Sequence, residues 1–183
     1  PSAKITPLTA IEESALKKAV TDINAKMAGI LRLEETPDPK KARFTIAGAH
    51  TKKRDFMGVY MGRDKLVLLN NSDFSTSSAY QNQQTVAHEI LHALGLQHPH
   101  NHEKKGESPA SNRVPCKETV MAYDYRCVGN NGIPTATLGK MDVIALESLY
   151  KNPSMVAMAN GHGLPLTADG RAKGMSMDRT GGN

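Results

Sequence analysis

The sequence predicts an α/β domain over residues 1–152, in which a twisted mixed sheet of about four or five strands carries a backing helix, a histidine-bearing helix and a C-terminal helix. Three observations lead there. Two capping boxes each open a helical pattern, four short strand-like runs lie between them, and a last apolar stripe at helical spacing ends at Pro153. At 183 residues the chain is long enough for one domain with a real core, or for one domain and an appendage.

The elements follow in order. Thr9-Ala10-Ile11-Glu12 reads as a capping box, and Ile11, Leu16, Val20, Ile23, Met27 and Ile30 give a helix from about residue 9 to about residue 28 with one buried stripe. Leu31–Glu35, Arg43–Ala49, Asp55–Met61 and Lys65–Asn70 read as short strands. The last is nearly all apolar and so buried on both faces, whereas Gly58 and Gly62 mark the third as a sheet edge. Ser78 with Gln81 forms the second capping box, opening the helix that carries His88, Glu89 and His92, with Val86, Ile90 and Leu94 on its core side.

Residues 99–115 read as a polar surface loop in which His100 and His102 are solvent-facing, and Val128–Thr135 as another loop. A helix from about Thr137 to Lys151 shows a stripe of Leu138, Met141, Ile144, Ala145 and Leu149. Residues 153–183, loaded with Gly and Met and lacking periodicity, read as a flexible tail or linker; the alternative is an ordered strap contributed by the four tail methionines.

Composition narrows the function. The net charge is +5, but the basic residues are scattered; the one dense group, Lys40, Lys41 and Arg43 with Lys52, Lys53 and Arg54, brackets a strand and solvates its ends rather than forming a nucleic-acid surface. No apolar run approaches the length of a membrane span, and the first thirty residues have no signal-peptide pattern. The expectation is a monomer without nucleic acid or membrane partners.

The chemistry is concentrated in residues 88–98, His-Glu-Ile-Leu-His-Ala-Leu-Gly-Leu-Gln-His. His88 and His92 stand one helical turn apart on one face, where two imidazoles can share a metal. Gly95 falls where the helix must end and a left-handed backbone is least strained, so the turned chain can return His98 as a third ligand. Three neutral nitrogens leave one position of a tetrahedral zinc for water, whose proton Glu89 is placed to take as general base and pass to a leaving amine. Five such fixed identities arise by chance on the order of once in 100,000 random chains of this length. Histidines merely solvating a helix are therefore a poor account.

This segment resembles the long zinc-binding motif of the metzincin clan of metallopeptidases, H-E-x-x-H-x-x-G-x-x-H, and Glu118-Thr119-Val120-Met121-Ala122-Tyr123 resembles the Met-turn that follows it. The likeness spans residues 3–152 in element order and is nearest to the serralysin-like, matrixin-like and astacin-like patterns. It implies a zinc endopeptidase with one zinc per chain, Met121 as the apolar floor beneath the zinc histidines, and Tyr123 beside the metal. It further implies a protein or peptide substrate lying antiparallel along the edge strand Asp55–Met61, and a pocket past the cleaved bond walled by Asp124–Thr135. The clan begins with a strand before the first helix, which here only Ala3–Thr6 can supply. No cysteine precedes the zinc motif, so a cysteine-switch latency is not expected from this segment.

Cys116 and Cys127 bracket the Met-turn-like segment and lie outside any C-x-x-C pair; with zinc served by histidines, they read as a disulfide stapling the turn, or as two free thiols in a reducing compartment. Pairing would argue for a secreted or exported protein, extracellular, periplasmic or injected into a target cell as a bacterial effector, with a cognate inhibitor or immunity protein among its partners. The reading from another class is a binding module, a metzincin scaffold whose zinc is structural. An intact Glu89 argues against it, since a structural site has no use for a base.

Overall fold

The structure, a computed structural model, describes residues 4–51, 56–98, 114–115, 118–122, 127–128, 137–151 and 173–178. The first helix, α1 (Ala10–Lys26), starts at the expected capping box: Thr9 Oγ1 accepts from the Glu12 N–H, and the Glu12 carboxylate accepts from the Thr9 N–H at 2.7 Å. Ala15, Leu16, Ala19, Ile23 and Met27 form its buried stripe. Ile11 is 46% exposed instead, because Glu12, turned back onto the cap, takes the inward place.

Six strands form one mixed sheet. Side by side run β2 (Arg32–Thr36), β8 (Lys173–Asp178), β3 (Phe44–His50), β5 (Leu66–Asn70) and β4 (Gly58–Met61), while β1 (Lys4–Thr6) also pairs with β3. Only β3 and β5 are parallel neighbours. One edge of β3 is shared end to end: β8 pairs with Phe44–Ile46 and β1 with Gly48–His50, both antiparallel. Strand β4 lies at the sheet's edge, as expected, and runs antiparallel to β5, all five residues of which are buried.

β8 corrects the reading of residues 153–183 as a flexible tail throughout. β2 and β3 leave facing rows of backbone donors and acceptors, and an antiparallel strand from the chain's end satisfies both. Met175 pairs with Phe44 and is 2% exposed. The alternation Met175, Ser176, Met177 is the period-two signal, but it is too short to stand out in a Gly-rich stretch. On the outer edge of β2, Asn24 of α1 clamps Leu33 reciprocally, accepting from its N–H at 2.7 Å and donating to its carbonyl at 2.9 Å. That occupies backbone groups an edge strand would otherwise present.

Alternate residues divide the sheet's two faces. Phe44, Ile46, Val67 and Leu69 join the main core with α1 and α3 (Ala79–Ala93), while Ala47, Ala49, Leu66 and Leu68 cluster on the other face with Phe56 and Val59. A short helix, α2 (Asn71–Thr76), capped by Asn70, was not expected from the sequence. Two further strands fall in segments read as loops: β6 (Val114–Pro115) and β7 (Cys127–Val128) pair in parallel. No helix among the described residues is long and apolar enough to cross a membrane.

The last helix, α4 (Lys140–Lys151), is rotated from the expected stripe. Asp142, Leu146 and Tyr150 are its buried residues, whereas Met141 and Ile144 are 37% and 55% exposed. The cause is a buried carboxylate whose three hydrogen bonds outweigh the burial of two aliphatic side chains. Met175→Ala is expected to cost about 2–5 kcal/mol in chemical denaturation, as a large-to-small change in a packed core. Ile144→Ala, on the open side of α4, should stay within about 0.5 kcal/mol of wild type. Equal and small effects would remove β8 from the core.

Candidate metal centre

Ser78 starts α3 with the second capping box: its hydroxyl accepts from the Gln81 N–H and its own N–H donates to Gln81 Oε1, each at 3.2 Å. Val86, Ile90 and Leu94 are fully buried, which turns His88 and His92 toward the opposite side. The helix ends at Ala93 with Leu94 as its C-cap, and Gly95 follows with φ of 103°, in the left-handed region expected of it. The Gly95 N–H donates to the His92 carbonyl at 3.0 Å and the Leu96 N–H to the Leu91 carbonyl at 2.9 Å. Those two bonds are a Schellman ending, and they turn the chain back toward the helix it has left.

His98 thereby returns. Its Nε2 lies 2.9 Å from His88 Nε2 and 3.1 Å from His92 Nε2, and the three potential ligand atoms all fall within 4.8 Å of one another. The other ring nitrogens fix the tautomers. His88 Nδ1 is 2.9 Å from the Val120 carbonyl and His92 Nδ1 is 2.9 Å from the Leu96 carbonyl. A carbonyl only accepts, so each Nδ1 carries the proton and each Nε2 turns a bare lone pair into the cluster. Burial also pushes the His92 pKa down, against the Leu96 hydrogen bond, and so favours the neutral ring that a metal requires.

His88, His92 and His98 can therefore hold a metal ion. The donor set fits zinc: a tetrahedral ion with Zn–N bonds of about 2.0–2.1 Å separates its ligand nitrogens by about 3.3–3.4 Å, a few tenths more than the two distances to His98 and inside the 4.8 Å that spans the set.

Glu89 sits on the same turn of α3 and is 7% exposed. Burial pushes its pKa up to about 7, against a hydrogen bond from the Tyr60 N–H of β4. Gly58 of β4 explains the close approach: a Cβ there would stand 2.6 Å from Thr85 Cγ2 and 2.9 Å from Glu89 Cγ. The sequence reading took Gly58 as a mark of an edge strand; its further role is to let the helix that bears Glu89 come against that edge. The Asn70 N–H donates to the Met57 carbonyl, so by antiparallel alternation the main-chain groups of Gly58 and Tyr60 point away from β5, toward the open side.

Thr119, Val120, Met121 and Ala122 are buried, with Met121 1% exposed in the main core. They are anchored by Asp142, which the sequence reading missed. Its Oδ1 accepts from Thr119 Oγ1 at 2.6 Å, and its Oδ2 from the Val120 and Gly139 N–H groups, each at 2.8 Å. Gly139 is pressed onto the same segment: a Cβ would meet the Glu118 carbonyl carbon at 2.1 Å. Asp142 thus holds Val120 by its N–H, and Val120 holds His88 by its carbonyl. Tyr150, one face along α4, donates to the Leu94 carbonyl at 2.8 Å, bracing the end of α3. An acid two residues into a helix reads from sequence as an ordinary first-turn residue, which is why Asp142 gave no signal.

Tyr123, Cys116 and the proposed specificity wall 124–135, apart from the β7 residues Cys127 and Val128, lie outside the described residues. The Cα of Cys127 pairs with that of Val114, and the expected Cys116–Cys127 disulfide likewise involves a residue outside those described. No family model, curated protein or solved structure matches the chain.

Two outcomes test the centre. His92→Ala should abolish stoichiometric zinc in metal analysis of the purified protein; unchanged content would remove the assignment. Asp142→Ala should cost at least about 3 kcal/mol, because three buried donors lose their acceptor. It should also release zinc to a competing chelator more readily, with Asp142→Asn intermediate in both measurements.

Proposed function

We propose that this chain is a zinc endopeptidase of metzincin type, hydrolysing peptide bonds with Glu89 as general base and His88, His92 and His98 as the zinc ligands. The observation that carries this reading is the pairing of a three-imidazole cluster with a buried carboxylate on the next residue of the same helix. Sheet order adds support, since the edge of β4 that pairs with no strand among the described residues runs beside that carboxylate.

Zinc bound by the three imidazoles would supply Lewis acidity, polarising a carbonyl and acidifying a water. The chain's own residues do the rest. The outward main-chain groups of Gly58 and the outward carbonyl of Tyr60, whose N–H is held by Glu89, can pair with an extended peptide, which holds its scissile carbonyl in register with the cluster. Glu89 lies against that edge and next to ligand His88 in the helix, placed to take a proton from water and return it to the departing amine. The Val120 and Leu96 carbonyls keep His88 and His92 in the ligating tautomer throughout.

A binding module with structural zinc is the competing reading. It gives no reason to bury Glu89, whose desolvation opposes its charge without helping to close a structural metal site.

Glu89→Gln separates the two. In the zinc-loaded protein it should keep metal content and fold while lowering the rate of casein hydrolysis by about 10²- to 10⁴-fold, the usual worth of a positioned base. Wild-type turnover that survives chelation of the metal, or a Glu89→Gln protein as fast as wild type, would overturn the peptidase reading.

A further inference from the structure

The turn between β4 and β5, Gly62-Arg63-Asp64-Lys65, sets two cations just past the end of the edge strand. The Asp64 N–H donates to the Met61 carbonyl at 3.0 Å, and Lys65 completes the turn with φ of 50°. Glycine or asparagine holds that left-handed conformation with less strain, and Lys65 is the one non-glycine residue with positive φ among those described. Turn geometry therefore disfavours the residue that is there, and what a lysine adds over glycine is a cation.

More positive charge gathers at the same corner. β3 and β5 are parallel and pair Thr45 with Leu66, so Arg43 lies at the turn's end of the sheet, and the Thr45 N–H donates to the Lys65 carbonyl at 2.9 Å. The Arg43 guanidinium stands 5.9 Å from the centroid of the Tyr150 ring. It also lies near Tyr60 of β4, whose pKa burial pushes up and the charge of Arg43 pulls back. The Tyr60 ring reaches the turn in its own right: a Cβ on Gly62 would stand 3.6 Å from Tyr60 Cε1. Arg63 is exposed and Lys65 half-buried. Among the described residues none of Arg43, Arg63 and Lys65 makes an ion pair, with Asp64 or with any other acid.

We propose that this corner binds acidic side chains of the substrate, aspartate or glutamate, upstream of the scissile bond, and that Arg63 and Lys65 select them. The inference rests on the peptidase reading above and deepens it by naming a class of substrate. Position comes from strand direction. Gly58 lies against Thr85 and Glu89, which sets the level of the reaction on β4, and the strand then runs through Met61 to the turn. A peptide antiparallel to β4 passes the turn first and the metal cluster afterwards, so the residues beside the turn are those before the cut. At about 3.4 Å per residue, the two cations come level with the peptide about four to six residues upstream. Charge then decides the class: an acidic side chain meets Arg63 and Lys65 without displacing an existing ion pair, a basic one is repelled, and an apolar one gains nothing from them.

The test is cleavage of a random peptide library by the zinc-loaded full chain, with zinc content and melting temperature measured for each variant. Wild type should enrich Asp and Glu at those upstream positions by about threefold to tenfold, the worth of two exposed ion pairs. The enrichment should vanish in about 1 M salt, where such pairs are screened. Between one acidic peptide and its Gln or Asn counterpart, the difference should appear in KM rather than kcat. Arg63→Glu and Lys65→Glu should each erase the enrichment, and together they should turn it toward Lys and Arg, with zinc retained. Lys65→Gly should weaken the enrichment yet melt no lower than wild type, which separates the charge from the turn. A neutral or basic upstream preference in wild type, an enrichment that survives salt, profiles unaltered by charge reversal, or a Lys65→Gly protein that melts below wild type would overturn the assignment while leaving the peptidase reading intact. No cleavage of any peptide by the zinc-loaded wild type would overturn both.

Discussion

The bare Nε2 lone pairs of His88 and His92 converge on the Nε2 of His98, at 2.9 and 3.1 Å, and the architecture around residues 88–98 is organised to hold that arrangement. Each member is fixed from a different direction. His88 is held through the Val120 carbonyl, His92 through the carbonyl of Leu96, and His98 by the left-handed turn at Gly95. None of these holds is a side-chain packing contact that could relax by a rotamer change. All three run through the backbone, where the available conformations are few.

Backbone control moves the problem one layer outward, to whatever fixes those backbone segments. For Val120 it is Asp142, buried on α4 with three donors on its two oxygens. α4 is itself tied to α1, where Asp22 accepts from the Leu138 N–H and Lys26 donates to Thr137 Oγ1. For the turn after α3 it is Tyr150, again from α4. One helix thus supports two of the three ligands without lending a ligand of its own. Desolvation raises the Asp142 pKa while Thr119, Val120 and Gly139 pull it back, so the carboxylate's partners, rather than solvent, stabilise its charge.

What the sequence revealed divides along the same line. The local signals were legible: both capping boxes, the breaker glycine, the histidines one turn apart, the edge character of Asp55–Met61 and the burial of Lys65–Asn70 each depend on residues close in the chain. Non-local polar contacts were not. The apolar stripe read on α4 placed Met141 and Ile144 inward, and the structure turns Asp142 inward instead. Hydrophobic periodicity assumes that the buried face is the greasy one, and a carboxylate with three partners from residues 119–139 breaks that assumption without altering the pattern. β8 escaped for a related reason. Its partners, Arg32–Thr36 and Phe44–Ile46, lie more than a hundred residues earlier, and nothing near Lys173–Asp178 records the gap it fills.

That gap also separates two kinds of dependence within one chain. The candidate site is assembled from residues 57–150, with short connections between ligand, base, edge strand and anchor. The far side of the sheet is closed only when β8 arrives, because among the described residues β2 pairs with no other strand. Pairing across so long a stretch of chain is slow to form and among the first to be lost, since loop closure precedes any stabilising contact. The metal cluster lies on the β5–β4 half, across β3 from that late closure. Loss of β8 would therefore strip β2 and expose the Phe44 and Leu33 side of the core while every hydrogen bond around the histidines kept its partners, so stability and metal binding need not fail together.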